Sequence, residues 1–338
     1  MKSDSSNTES QRRDNHGSAE SSSGVRAVGL GRFLAKVAAL LALVLAGHLV
    51  VAVWPVPPVG YLSAVADKQQ HLVSLESPKL VFVGGSNLSF GIDSSLLEQE
   101  TKRPVANMGL GIYAGLRFML DSVVPRLGEG DVVVLSPEYQ FFYGLFEGDE
   151  ELFEVLEAFP EGIRYIRSPR QAYMLARASL IFAKLKFKRV VLGALKAPAQ
   201  DCVYCRAAFD GSGDLVAHLT LPSLDISAMS LFRKGRRATT IDETALERIE
   251  SFARKAKQRG AQVVVIYPPL PERQFADNRQ RIERVHERMS EIEGLIVLAP
   301  PAESVYPTEN FFDWVYHLNA TGRARRTEDV IRLVAPLL

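Results

Sequence analysis

The chain has 338 residues, 47% of them hydrophobic, and carries 40 Lys and Arg against 39 Asp and Glu for a net charge of +1. That is ample apolar material for one sizeable core, and the near-zero net charge gives no electrostatic footprint for nucleic-acid binding. The extremes of composition are local.

Residues 1–24 are rich in Ser, Asp, Glu, Asn and Arg and poor in large apolar groups, so a disordered cytoplasmic tail is expected there. After Arg26, Arg32 and Lys36 an apolar run follows, interrupted only by His48. At about 1.5 Å per residue, 33–54 is long enough to cross most of a ~30 Å hydrocarbon layer. The positive flank predicts a single-pass anchor with its N-terminus inside, and Trp54 suits the outer interface. A cleaved signal peptide is the rival reading, but no small-x-small site precedes Pro55. Residues 55–77 read as a stiff, polar linker.

From residue 78 the pattern alternates. Apolar runs at 80–83, 105–108 and 132–135 read as buried parallel strands, separated by helical stretches around Leu96 and over 114–127. The predicted fold class is α/β: a three-layer, doubly wound parallel sheet with helices on both faces. Gly84-Gly85 turn the chain sharply after the first strand, which puts Ser86 at a strand's carboxyl end, where open α/β sheets bind ligands. Gly109-Leu-Gly-Ile-Tyr-Ala-Gly115 imitates a dinucleotide fingerprint, with its last glycine one position late, and no cofactor is expected.

The alternation stops over about 145–240, too long for a simple loop, so a largely helical insertion is expected. Within it, 171–195 mixes apolar residues, Leu180 among them, with Lys184, Lys186, Lys188 and Arg189, and Lys196 follows. Those cations are either a solvated helix face or part of a lid or membrane-facing helix. Cys202 and Cys205 are the only cysteines and form a disulfide candidate on the outer side of a membrane. His218 is a possible third partner in a metal reading, which one Cys pair alone does not support.

Alternation resumes after Ile241. Thr240 or Asp242 caps a helix running to about Arg259, a strand covers 262–267, a helix covers 272–292, and a strand covers 295–298. Asn319 reads as the N-cap of a last helix with Ala324, Val330, Ile331 and Val334 inward. Just ahead of that cap stand Asp313 and His317. A nucleophilic serine needs a base to take its proton and a carboxylate to orient the base, and these two supply both types in one short segment. Glu309 is the next candidate for the carboxylate.

Taken together, Gly84-Gly85-Ser86-Asn87, Val105-Ala106-Asn107-Met108-Gly109 and the segment Asp313 to His317 resemble the SGNH/GDSL hydrolase superfamily. The closer likeness is to its membrane-anchored bacterial branch, which handles acyl groups on cell-surface polymers. The resemblance covers roughly residues 79–144 and 262–338. It implies Ser86 as nucleophile, His317 as base and Asp313 as orienting carboxylate. It also implies an oxyanion hole drawn from the Gly109 amide with Asn87 or Asn107. Two departures stand out: the Asp lies four residues before the His rather than three, and Ser136-Pro-Glu-Tyr-Gln140 replaces the Gly-x-Asn-Asp block.

The expected activity is therefore that of an extracytoplasmic serine esterase or O-acyltransferase acting on an acylated glycan or envelope polymer. Glu138, Tyr139, Trp314 and Tyr316 are candidates to line its cleft. Two alternatives stay open: a non-catalytic envelope-assembly protein that binds polymer through the basic insert, and a subunit that receives acyl groups from an integral membrane acyltransferase.

Overall fold

Short runs of Val, Leu and Ile build the centre of the fold, because side chains that branch near the backbone pack well on a pleated surface buried on both sides. The computed structural model describes residues 17–53, 58–193, 202–232 and 240–338. Residues 1–16 of the expected tail, Trp54 and Lys196 lie outside them, as do the side chains of Leu180 and Arg189. In chain order the elements are α1 (Gly17–Val53), α2 (Val65–Ser74), β1 (Leu80–Gly84), α3 (Ser86–Gly91), α4 (Ser94–Thr101) and β2 (Val105–Asn107). Next come α5 (Leu116–Val123), β3 (Val132–Ser136), α6 (Leu152–Ala158), α7 (Pro169–Gly193), α8 (Glu243–Lys257) and β4 (Gln262–Val265). The chain closes with β5 (Leu270–Pro271), α9 (Glu272–Ser290), β6 (Leu295–Val297), β7 (Val305–Tyr306) and α10 (Ala320–Val334).

Five strands form one sheet in the order β2-β1-β3-β4-β6, every neighbour parallel, and β5 and β7 pair separately. Leu80 lies opposite both Val105 and Val132, so the three central strands start level. Alternation along each strand then divides the core. Val81, Val83, Val133, Leu135, Val263 and Val265 pack against α5, α8 and α9 through Phe118, Phe252 and Ile282. Leu80, Phe82, Val132, Val134 and Val264 face the other way, onto Leu97 of α4 and Val330 and Val334 of α10.

Helix ends follow local chemistry. Asp242 caps α8 by accepting from the Thr244 amide at 3.0 Å, and Asn319 caps α10 by accepting from the Gly322 amide at 3.1 Å. The inward face of α10 differs from the expected apolar stripe. Ala324 is exposed, while Arg323, Arg326 and Thr327 are buried beside Val330 and Val334. The two arginines find acceptors in the loops beneath, which a purely apolar stripe would leave unpaired.

The other departures lie before β1 and after β3. α1 starts at Gly17, inside the stretch expected as a tail, since extending a helix from an apolar segment already helical costs little per residue. Leu30–Val51 within α1 is 22 residues long with a mean hydropathy of 2.3, long and apolar enough to cross a membrane. The described part of the expected linker is folded instead. Leu72 of α2 joins the core, and Lys68 is 2% exposed with its ammonium donating to the carbonyls of Asn107 and Gly213. In the insertion, α6 and α7 are helical, whereas residues 202–232 carry only a short 3-10 turn at Arg206–Ala208. α7 packs on α6 through a Phe153–Phe182 ring contact and a Lys186–Glu157 ion pair of 2.6 Å, and it meets α1 where Ser179 approaches His48.

The tightest point of the sheet is the end of β1. A methyl group on Gly84 would lie 2.2 Å from the Ser136 carbonyl oxygen of β3. Because that neighbour is backbone, Gly84→Ala is expected to destabilise the fold by about 1–3 kcal/mol. The check is the midpoint of denaturant unfolding for the full-length chain in detergent; an unchanged midpoint would show that β1 and β3 part at little cost.

Candidate active site

Ser86 opens α3 straight after β1. The chain lays β2 on one side of β1 and β3 on the other, so a crevice opens between the carboxyl ends of β1 and β3. Gly85 lets β1 end against Glu138: a methyl group there would sit 2.2 Å from the Glu138 Oε1 atom. Ser86 is thus held at the crevice floor, 8% exposed.

His317 reaches the same point from the loop ahead of α10. That loop is cinched by Phe312 N–H donating to the His317 carbonyl at 2.7 Å and His317 N–H donating to the Trp314 carbonyl at 3.0 Å. The turn folds Asp313 back under the imidazole, which is how a four-residue spacing still brings the two side chains together. His317 Nε2 lies 2.9 Å from Ser86 Oγ, and His317 Nδ1 lies 2.8 Å from Asp313 Oδ1. The ring stacks on Phe90 at 3.8 Å between centroids and 4° between planes. Glu309 is exposed and takes no part through its side chain.

Burial lowers the His317 pKa below the ordinary 6.5, partly opposed by Asp313, so the imidazole is neutral and able to accept a proton at neutral pH. Burial alone would raise the Asp313 carboxyl, but hydrogen bonds from His317 and Tyr204 hold it below the usual range. Tyr204 is a participant that pattern-reading missed. Its hydroxyl donates to Asp313 Oδ2 and lies 3.2 Å from His317 Nδ1. The only signal was its place between the two cysteines, which drew attention to the thiols.

Glu138 is the second acceptor at the Ser86 hydroxyl. Its Oε1 lies 3.2 Å from Ser86 Oγ and accepts from the Asn87 amide at 2.9 Å. Burial pushes its carboxyl up to about 7, against the pull of the Asn87 and Ser86 hydrogen bonds and of Arg326. Beneath it, Arg326 is 2% exposed and donates to the Asn87 carbonyl (2.7 Å), Asn87 Oδ1 (2.9 Å) and Ser136 Oγ (3.1 Å). One guanidinium therefore ties α10 to the turn after β1 and to the end of β3.

The side-chain and amide donors expected at the oxyanion are engaged elsewhere. Asn87 Nδ2 donates to the Ser136 carbonyl at 3.0 Å, and Asn107 Nδ2 donates to the Leu88 carbonyl and to Asp214. The Gly109 amide donates to Asn107 Oδ1 at 3.0 Å. These groups brace the turn under Ser86, where burial demands that each polar atom find a partner. The cleft expectations divide as well. Glu138 and Trp314 line the cavity over Ser86, whereas Tyr139 stacks on Tyr267 in the core and Tyr316 is fully buried, its hydroxyl donating to Gln140. Cys202 and Cys205 are free thiols, with the Cys205 thiol directed at the Cys202 carbonyl. His218 faces the Leu318 carbonyl at 2.9 Å. Among the described residues no group of three or more His, Cys, Asp or Glu is placed to hold a metal.

No protein-family model matches the chain, and no curated protein matches it. Among solved structures, one from Streptococcus pneumonia whose name refers to platelet activating factor aligns at 12% identity and a TM-score of 0.38, over 80% of this chain and 92% of that one.

The raised Glu138 pKa has a consequence for stability. Between the ordinary value of 4.5 and about 7 the folded chain holds a proton that the unfolded chain has released, so this group's stabilisation is full below pH 4.5 and is lost as pH rises through 7. Glu138→Gln is expected to flatten the fall in stability over that window, read as the denaturation midpoint at pH 5 against pH 8. An equally steep fall in the variant would assign the pH dependence to other groups.

Proposed function

We propose that the chain is a membrane-anchored serine esterase or O-acyltransferase of the SGNH/GDSL type, acting outside the cytoplasm on acyl esters of a cell-envelope glycan or polymer. The observation that carries this is the hydrogen-bonded chain Ser86, His317, Asp313, with links of 2.9 and 2.8 Å between residues far apart in sequence. A strand order equivalent to 2-1-3-4-5, with the serine after the first strand, agrees with the doubly wound arrangement of that superfamily. The apolar helix after Arg26 supports the anchor, and the positive flank on its N-terminal side supports an N-in orientation.

In this mechanism His317 Nε2 takes the Ser86 proton as Oγ attacks the ester carbonyl, while Asp313 holds the neutral tautomer and balances the imidazolium that forms. Tyr204 fixes the second Asp313 oxygen. With Gly109, Asn87 and Asn107 taken, the Ser86 amide at the start of α3 is the donor that meets the oxyanion. His317 returns the proton to the departing alkoxide, leaving an acyl-serine. Water or a sugar hydroxyl, activated by the same imidazole, then releases the acyl group.

A fluorophosphonate probe should label the full-length chain and not Ser86→Ala; equal labelling of the two would remove Ser86 from the chemistry. Turnover of p-nitrophenyl acetate should fall at least ~100-fold in His317→Ala, the loss expected for a general base. Because the imidazole must be neutral to act, activity should persist below pH 6.5 and fade only at more acidic pH, so a half-maximum well above 6.5 would point to a different base.

A further inference from the structure

The cavity above Ser86 encloses about 560 Å³, within the range of pockets that bury a drug-sized ligand. An acetyl group needs far less, on the order of two water volumes of ~30 Å³ each. The walls are supplied by elements from along the chain. Leu62 comes from the turn before α2, Ile112 from the turn after β2, Leu145 from the start of the insertion, Leu231 and Phe232 from its far end, and Trp314 from the loop carrying His317. The side chains of Leu62 and Leu231 are buried in the core, so this lining is built into the fold.

An apolar wall of this extent rewards the transfer of methylene groups from water.

We infer that the acyl group taken by this site is an apolar chain of medium length, seated against Ile112, Leu231 and Trp314, rather than an acetyl group. This rests on the reading of Ser86 as the nucleophile, and it narrows the substrate class of the same site.

The test compares methyl- and octyl-substituted fluorophosphonates on the full-length chain in lipid nanodiscs, with Ser86 modification followed by intact mass. In each case the Oγ–P bond forms, the P–F bond breaks, fluoride leaves, and the serine proton passes to His317. Octyl labelling at least tenfold faster than methyl is expected, and Leu231→Trp or Ile112→Trp should each cut the octyl-to-methyl ratio at least fivefold. Methyl labelling as fast as octyl would overturn the inference while leaving the nucleophile intact. A second readout needs no chemistry: methyl octanoate, but not methyl acetate, should change the fluorescence of Ser86→Ala, and Trp314→Phe should abolish that change. Absence of Ser86 labelling together with a Trp314 response would sink the enzyme reading and keep the apolar chain site. Absence of both would sink the two together.

Discussion

One contact organises the candidate site of this chain: the 2.9 Å approach of the His317 imidazole to the Ser86 hydroxyl, between residues 231 positions apart. It exists because two pieces of chain are held rigidly from behind. The glycines after β1 let the serine turn sit hard against β3 and Glu138, and Phe90 supplies a flat face on which the imidazole lies. Arg326 locks the two sides by reaching from α10 to Asn87 and Ser136. A buried guanidinium is stabilising only where its donors are used, and here three acceptors meet it.

The polar groups around the serine perform two distinct jobs. Asp313 and Tyr204 act on the outer side of the imidazole, fixing its tautomer and orientation. Glu138, Asn87, Asn107 and Ser136 lie below the serine and spend their hydrogen bonds on holding the turn. Glu138 is the unusual member, a carboxyl beside the Ser86 hydroxyl that burial raises toward neutrality, which limits the negative charge held next to that oxygen. With the cavity walls mostly apolar, the site joins a hydrogen-bonded floor to a greasy roof, a division common in small-molecule pockets.

The elements ahead of β1 and after β3 are part of this construction rather than appendages. α2 and the turn before it contribute Leu72 to the core and Tyr61 and Leu62 to the cavity, so the apolar helix α1 leads almost directly into the pocket wall. The insertion returns Tyr204 to the imidazole and Leu231 and Phe232 to the roof. A site assembled from so many separate segments depends on global folding and has little tolerance for shifts in any one of them.

Much of the sheet and the two segments that meet at the candidate site were legible in the linear chain. Valine-rich runs bounded by glycine and polar turns set the strands, a double glycine before Ser86 marked a sharp turn at a strand's carboxyl end, and Asp313 and His317 stood out as a carboxylate and an imidazole ahead of a capped helix. The helix at Leu30–Val51 was readable from its length and hydropathy alone. What remained hidden was the identity of partners. Arg326 sits where periodicity asked for an apolar residue, Tyr204 lay among residues noticed for their sulfur, and the amides expected at an oxyanion turned out to be spent on neighbours. Local pattern reports which backbone shape and which face a residue favours, because those depend on its immediate neighbours. Which donor meets which acceptor depends on positions brought together from opposite ends of the chain, and only the folded arrangement decides that.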